Sequence, residues 1–499
     1  MLPNSPWRPL TRPWVIAHRG CSGHLPEHTL PGYVLAIEQG CDVIEPDLVA
    51  SADGVLYARH DLGLERSTDI DQRPEFAPLR RPGPDGNEDW WIADLTSSQI
   101  DQLRAVQPWP TRPHHRDGCY RIPRFSEILK LLLEQRRRRG RNLLVYPELK
   151  HPGYFLDRGI DVVELLYRDL AAVGLLGPQA PVLVQCFDAD CLARVRERCG
   201  SRVVQLSVDL PALRPGVHGY GVSKQALLTP EGRDFIDAAH AADQMVHAWT
   251  FRDDQPTADL SPVEECARAY VLGCDGLFGD FSDTVRAGRL LASAEPVSAD
   301  SPISMLTLTG AAIRPFLPAL AQLRIRVFRE WPYLYDGDLE YEARYLQTYS
   351  QSSRSLFVLA VDQGRIVGCA TAVPLCDEAE YCQAPLRAGG YDVGQILYFG
   401  ESVLDIAYRG YGLGHRFFDV RERYARSLDG ITHTCFCAVE RDPGDPRRPP
   451  DARSLHDFWV GRGYQRQSAL RARFSWRELG QTAESGHDMG YWLRALDRG

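Results

Sequence analysis

The sequence has no run of apolar residues long enough to cross a bilayer, so nothing in it supports a membrane-spanning segment. Nor does an apolar stretch follow the two arginines of the opening MLPNSPWRPLTRPW. The first apolar run, Val15 to Ala17, already belongs to a motif, and a cleaved export signal is not expected. The thirteen cysteines form no CxxC pair, and an odd number scattered through a long chain reads as free thiols in a reducing compartment. These absences predict a cytoplasmic protein. Positive charge is also in deficit, 57 Lys and Arg against 66 Asp and Glu for a net charge of -9, which argues against a nucleic-acid partner. The one basic run, Arg136 to Arg139, closes an amphipathic segment over Phe125 to Leu133 and reads as a solvated helix end before Gly140.

What is present points to two domains. With 499 residues, 44% of them hydrophobic and 25% charged, the chain is of ordinary globular composition and exceeds what one core usually serves. The clearest break is LASAEPVSADSPIS, Leu291 to Ser304, where small residues and prolines interrupt periodic structure, and no repeat relates its two sides. The reading is a first domain over 14–290, a linker over 291–302 and a second domain over 303–496. Before the break, eight apolar runs alternate with helix-like segments: VIA (15–17), DVIEPDL (42–48), GVLYARH (54–60), NLLVYPEL (142–149), PVLVQC (181–186), RVVQLS (202–207), MVHAWT (245–250) and GLFGD (276–280). Eight strands suit a doubly wound sheet or a closed α/β barrel. Polar residues at nearly every C-terminal end favour the TIM (β/α)8 barrel, which carries its chemistry there. The long stretch between the third and fourth runs predicts an insertion over about 62–120 covering the mouth, with Trp90 and Trp91 anchoring it by packing.

Glu45 and Asp47 are two apart on one strand and share a face, and Glu148 and Lys150 repeat that spacing on another. Three carboxylates converging in the mouth would repel one another without a cation, and an all-oxygen set suits a hard ion, Mg²⁺ or Ca²⁺. Each acid alone is more often a salt-bridge partner or a cap, so the convergence carries the argument. His18 and His60 end the first and third runs, and imidazole suits proton transfer near neutrality, one ring as base and the other as acid. Arg19 and Lys150 supply cationic donors for phosphoryl oxygens. Gln185 and Trp249, at further strand ends, are candidates for a substrate pocket.

AHRGCSGHLPEHTLPGY and GCDVIEPDLVASADGVLYARHD, followed in order by YPELK, LVQCFDAD, VHAWT and GCDGLFGDFSD, resemble the glycerophosphodiester phosphodiesterase family over about Trp14 to Arg289. EPDLV, PEHTLP and QCFDAD, with the long insertion after His60, are most similar to the periplasmic bacterial branch that acts on soluble glycerophosphodiesters. The resemblance implies cleavage of a glycerophosphodiester into sn-glycerol 3-phosphate and an alcohol. It also implies that Glu45, Asp47 and Glu148 are metal ligands and that His18 and His60 are the acid-base pair. Gly279 and Ser282 depart from the family's last strand, which more often reads FTDFPD.

After the break, MLTLTG reads as a strand, IRPFLPALAQLRIRVFREW as an amphipathic helix, and SLFVLAVDQGRIVGCATAVPL as two strands turning at Gln363-Gly364. QILYFGESVLDIAYRGYGLGHRFFDVRERYARSL continues as strand, glycine-rich turn and helix, giving an α+β domain. In RGYGLG, Arg409 to Gly414, backbone N–H groups are free to point at a phosphate, although glycines also make plain turns. With DFWVGRGYQ, this loop resembles the GNAT acetyltransferase superfamily over roughly Ile303 to Leu496. The resemblance implies acetyl-CoA bound by Arg409, Gly410, Tyr411, Gly412 and Gly414, with its pantetheine arm along Leu404. Glu401 is then a candidate base toward an unknown amine acceptor, and Trp459 stands where many relatives carry a tyrosine acid. The expectation is a two-headed enzyme. Other readings make the second domain a CoA-binding regulator, or direct the barrel at lysophospholipids, which would require an apolar surface near its mouth.

Overall fold

The computed structural model describes residues 12–83, 86–139, 142–257, 259–298 and 300–497. The opening segment through Thr11, on which the export reading rests, lies outside the described residues, as do Gly140 and Ala299. The chain divides into two compact units, Met1–Ala292 and Ser293–Gly499. Among the described residues no helix is long and apolar enough to cross a membrane.

In the first unit, strand Trp14–His18 pairs parallel with Val43–Glu45 on one side and with Gly276–Gly279 on the other. From Asp47–Ala50, parallel pairing continues through Glu148–Leu149, Leu183–Cys186, Arg202–Ser207, Gly219–Ser223 and Met245–Phe251 back to Gly276–Gly279. Val43–Glu45 and Asp47–Ala50 are halves of one strand broken at Pro46, and Leu144–Val145 and Glu148–Leu149 flank Pro147 in the same way. Proline has no N–H to give to a ladder, so each strand is interrupted without leaving its place. Counted so, the parallel strands return to the first, an arrangement consistent with a TIM barrel. Side-chain alternation sorts its two faces. Trp14, Ile16, Val43, Leu144 and Phe278 fill the interior, while Val15, Ala17, Ile44 and Val145 join the larger core outside the ring.

Two strands differ from the sequence expectation. GVLYARH does not enter the ring: Leu56–Ala58 folds back antiparallel on Asp47–Ala50 through a turn at Gly54, whose φ is 74°. Ala50 and Leu56 lie a hairpin's length apart, whereas a parallel return needs a dozen residues or more. The ring strand missing from the reading is Gly219–Ser223. Its GYGVS lacks the β-branched run that marks a strand, yet close backbone approach excludes a side chain at Gly219. A Cβ on Gly219 would lie 2.5 Å from the Met245 carbonyl oxygen, and one on Gly221 2.6 Å from Leu206 Cδ2.

The helix Phe125–Arg139 ends in the basic run, as the sequence suggests. Before it, the insertion is built of short 3₁₀ turns, the hairpin Arg81–Pro82 with Glu88–Asp89, and one helical turn at Ser97–Ile100. Trp90 and Trp91 are buried packing anchors, their indole N–H groups donating to the carbonyl oxygens of Phe76 at 2.6 Å and Arg81 at 3.0 Å.

The second unit is a mostly antiparallel sheet. Ile303–Thr309, Leu356–Asp362 and Arg365–Pro374 are neighbours, and the last two turn at Gln363-Gly364 with φ of 48° and 81°, as in a type I′ hairpin. Arg365–Pro374 pairs with Ile396–Tyr398, which runs parallel to His433–Val439, and the sheet ends with Glu484–Ala495 and Gln465–Arg477. Helix Leu413–Ser427 follows Gly412, whose φ of 77° sets its start.

Candidate active site

Backbone register gathers the acids. His18 is level with Glu45 on the neighbouring strand, Asp47 with Glu148, and Glu148 with Gln185. Glu45, Asp47 and Glu148 are buried, and each offers an oxygen within 4.8 Å of the others, the one such group among the described residues. Glu45 Oε1 accepts from Gln185 Nε2 at 3.0 Å, and its Oε2 accepts from the Arg19 backbone N–H at 2.9 Å. Arg19 adopts a left-handed φ of 58°, strain of the kind that collects at functional sites. Its guanidinium bridges Glu27 at 3.0 Å and Asp47 at 3.1 Å. Lys150 Nζ donates to Glu148 Oε1 at 2.7 Å and lies 3.9 Å from Asp47.

The electrostatics are those of an anionic pit. Burial and the neighbouring carboxylates push Glu45 well above the ordinary carboxylate range, and burial followed by Asp47 pushes Glu148 up to about 8. Burial would raise Asp47 too, but Lys150, Arg19 and the His28 hydrogen bond hold it well below its usual value. A dry, all-oxygen donor set with excess negative charge fits a hard divalent cation.

Each candidate acid-base histidine has its Nδ1 on a carboxylate. His18 Nδ1 is 2.6 Å from Asp280 Oδ1 and His60 Nδ1 is 2.5 Å from Asp61 Oδ1. An Nδ1–H donated to a carboxylate leaves Nε2 as the acceptor in the neutral ring. Burial, then the charge of Arg19, lower the His18 imidazole to about 4 despite Asp280. Burial would raise Asp280, but His18, Arg112 and Arg252 hold it far below the ordinary range. His60 is partly exposed and stands in the connection after Leu56–Ala58, not at a ring strand's end as the sequence suggested.

Sequence reasoning assigned no role to His28, Asp280 or Arg112. His28 donates to Asp47 Oδ2 from Nε2 at 3.1 Å while its Nδ1 faces the Tyr33 hydroxyl at 2.9 Å, so it orients a candidate ligand. Asp280 was visible as the acid ending the last run; Arg112 carried no signal. Of the pocket candidates, Gln185 touches the triad, whereas Trp249 is half-buried with its ring 6.1 Å from that of Phe187.

In the second unit, Gly410 and Gly412 have φ of 89° and 77° and face open space at the start of the long helix, with Gly414 in its first turn and Tyr411 77% exposed. Arg409 donates to the Leu404 carbonyl at 3.1 Å and pairs with Glu330 at 2.7 Å. Glu401 is buried against Arg324, which also pairs with Glu342, so one guanidinium is shared between two buried carboxylates. Trp459 packs 5.1 Å from the rings of both Phe436 and Trp492.

The model of the glycerophosphoryl diester phosphodiesterase family matches residues 18–284, all within the first unit. A glycerophosphodiester phosphodiesterase of Arabidopsis thaliana is 28% identical over 57% of this chain and 88% of its own length. Glycerophosphodiester phosphodiesterases of Haemophilus influenzae and Treponema pallidum are 28% and 29% identical over 39% and 36% of this chain. The chain spans about half the length of these two bacterial relatives, 54% and 52%. The matched residues make up more than half of the sequence and include the carboxylate triad and both histidines, and the chain belongs to the glycerophosphoryl diester phosphodiesterase family.

Proposed function

We propose that the first unit hydrolyses glycerophosphodiesters to sn-glycerol 3-phosphate and an alcohol, with Glu45, Asp47 and Glu148 holding Mg²⁺ or Ca²⁺. The observation that carries the reading is the buried carboxylate triad, flanked by Arg19 and Lys150 and by two histidines oriented through Nδ1. A bound cation would neutralise the triad and polarise a phosphoryl oxygen. Arg19 and Lys150 orient the other phosphoryl oxygens. His18, neutral at working pH, accepts a proton at Nε2 from the substrate's own glycerol hydroxyl as that oxygen bonds to phosphorus, and the more exposed His60 gives a proton to the leaving alkoxide. Water then opens the resulting cyclic phosphodiester to sn-glycerol 3-phosphate, with the two rings exchanging roles. The test is hydrolysis of glycerophosphocholine and glycerophosphoethanolamine by the full chain, with chelator and then with Mg²⁺ or Ca²⁺ restored. Activity indifferent to chelation refutes the cation site.

A second reading, a lysophospholipid substrate, is favoured by Phe187 and Val208. These follow the C-terminal ends of two ring strands and are 47% and 57% exposed. Faster turnover of a lysophosphatidylcholine than of glycerophosphocholine would select it.

For the second unit we propose acetyl-CoA binding with transfer to an amine. The open Gly410 and Gly412 cradle at the start of helix Leu413–Ser427 supports the pyrophosphate site. Glu401 serves as base only if the acceptor displaces Arg324. Acetylation of an amine by the full chain supports transfer; CoA binding that alters diester hydrolysis without turnover supports a regulatory unit instead.

A further inference from the structure

We propose that Arg112, carried by the insertion, is a positioning residue for His18, acting through Asp280; this rests on the reading of His18 as the proton acceptor. Asp280 ends the last ring strand and divides its two oxygens between separate tasks. Oδ1 receives His18 Nδ1 at 2.6 Å, while Oδ2 receives Arg112 Nη2 at 2.7 Å and Arg252 Nε at 3.1 Å. Arg252 is 23% exposed, whereas the Arg112 side chain is 1% exposed, so the dry and therefore stronger grip on Asp280 comes from the insertion.

Arg112 is itself fixed on its other edge. Its Nε donates to Asp254 at 2.9 Å, and the guanidinium lies 5.0 Å from the Trp109 ring and 5.6 Å from that of Phe281. The insertion also holds the backbone that follows His18. Arg112 Nη1 and Gln107 Nε2 both donate to the Ser22 carbonyl, at 3.3 and 3.1 Å, and Ser22 Oγ donates to the His18 carbonyl at 3.0 Å. A carboxylate bound on one oxygen only is free to rotate about its Cβ–Cγ bond. With Oδ2 clamped, Oδ1 has one direction, and the imidazole that donates to it has one orientation and one tautomer. The insertion thus completes the catalytic centre from a segment that contributes no ring strand.

A simple anchor for the insertion would also be a buried arginine between two aspartates, and the two roles separate in a double-mutant cycle. Arg112→Met, Asp280→Asn and the double variant are assayed on glycerophosphocholine beside His18→Ala. If Arg112 acts through Asp280, Arg112→Met lowers kcat roughly tenfold or more while KM stays within about twofold, and the double variant is no slower than Asp280→Asn alone. Arg112→Lys, which keeps the charge but not the fork, regains part of the rate. Multiplicative losses in the double variant, or a loss confined to KM, overturn the proposal. Should Arg112→Met lose the cooperative unfolding of the parent, the same cycle is read with Arg112→Lys. An active His18→Ala instead removes the underlying reading, and so separates the two failures.

Discussion

Replacing Glu148 with Gln isolates the charge of the carboxylate triad from its packing. Four buried carboxylates, Glu27 included, face the two cations Arg19 and Lys150, an excess of two negative charges that one divalent ion matches. Without the ion, burial and Asp47 push Glu148 up to about 8, so at pH 7 its side chain is mostly neutral already. Glutamine copies that neutral form and keeps an oxygen to accept from Lys150 Nζ, now at 2.7 Å. The ion-free stability of Glu148→Gln should therefore stay within about 1 kcal/mol of the parent, as for a substitution that preserves volume and a hydrogen bond. The ion response should be lost. For the parent, Mg²⁺ or Ca²⁺ at a hundredfold excess over its dissociation constant adds about 2.7 kcal/mol. In a unit of this size that raises the melting temperature by roughly 4–5 °C. The measurement is thermal unfolding of the full chain, followed through the first unit's transition, in chelator and across an ion titration. A parent that shows no shift at millimolar ion, or a Glu148→Gln variant that keeps the full shift, refutes the argument.

His18→Ala and His60→Ala should each lower kcat for glycerophosphocholine by about a hundredfold or more with unfolding unchanged; near-normal turnover by both ends the acid-base assignment. Trp90→Ala should cost about 3–5 kcal/mol in denaturant unfolding, since the indole is buried and its N–H satisfied; a loss under 1 kcal/mol would show that the insertion is not anchored there. Burial lowers the His247 imidazole from 6.5 to about 4, so the folded state keeps a neutral ring that the unfolded chain protonates. The corresponding stability is present above pH 6.5 and is lost as pH falls toward 4, roughly 3 kcal/mol in all. His247→Leu should flatten that slope in denaturant melts at pH 7 and pH 4.5, and an unchanged slope would contradict the burial argument.

The triad was legible because its residues lie in short strings whose spacing is itself the geometry. Glu45 with Asp47, and Glu148 with Lys150, sit two apart on strands, and the parallel register then brings Asp47 level with Glu148. The eight-strand count is right for a mixed reason, because the apolar pattern includes a hairpin strand, Leu56–Ala58, and passes over the glycine-bearing ring strand Gly219–Ser223. Alternating apolar pattern cannot tell a ring strand from a short antiparallel partner, since both bury one face. What sequence did not disclose are the contacts closed by folding over long separations. His18 and Asp280 are 262 residues apart and Arg112 and Asp280 are 168 apart, so no local pattern links them. Glu401 misleads for a related reason, because Arg324, which packs against it, lies on a different element.

These two kinds of legibility have a physical counterpart in how the site is held. The carboxylates are placed by backbone hydrogen bonding in a parallel ring, where a one-residue slip would turn every inward group outward, so their positions are fixed as firmly as the fold itself. The histidines are placed by side-chain contacts. His18 is held by a buried carboxylate clamped by two guanidiniums, and His60 by its neighbour Asp61 in a partly exposed connection. A group that must accept a proton at one point in space gains from the first arrangement, since orientation there is set before substrate arrives. The second orients its ring through one short side-chain pair at the edge of solvent. The insertion supplies Arg112 to the first and follows directly on Asp61 of the second, so changes in it should alter the rate of proton transfer while the carboxylates of the cation site keep their register.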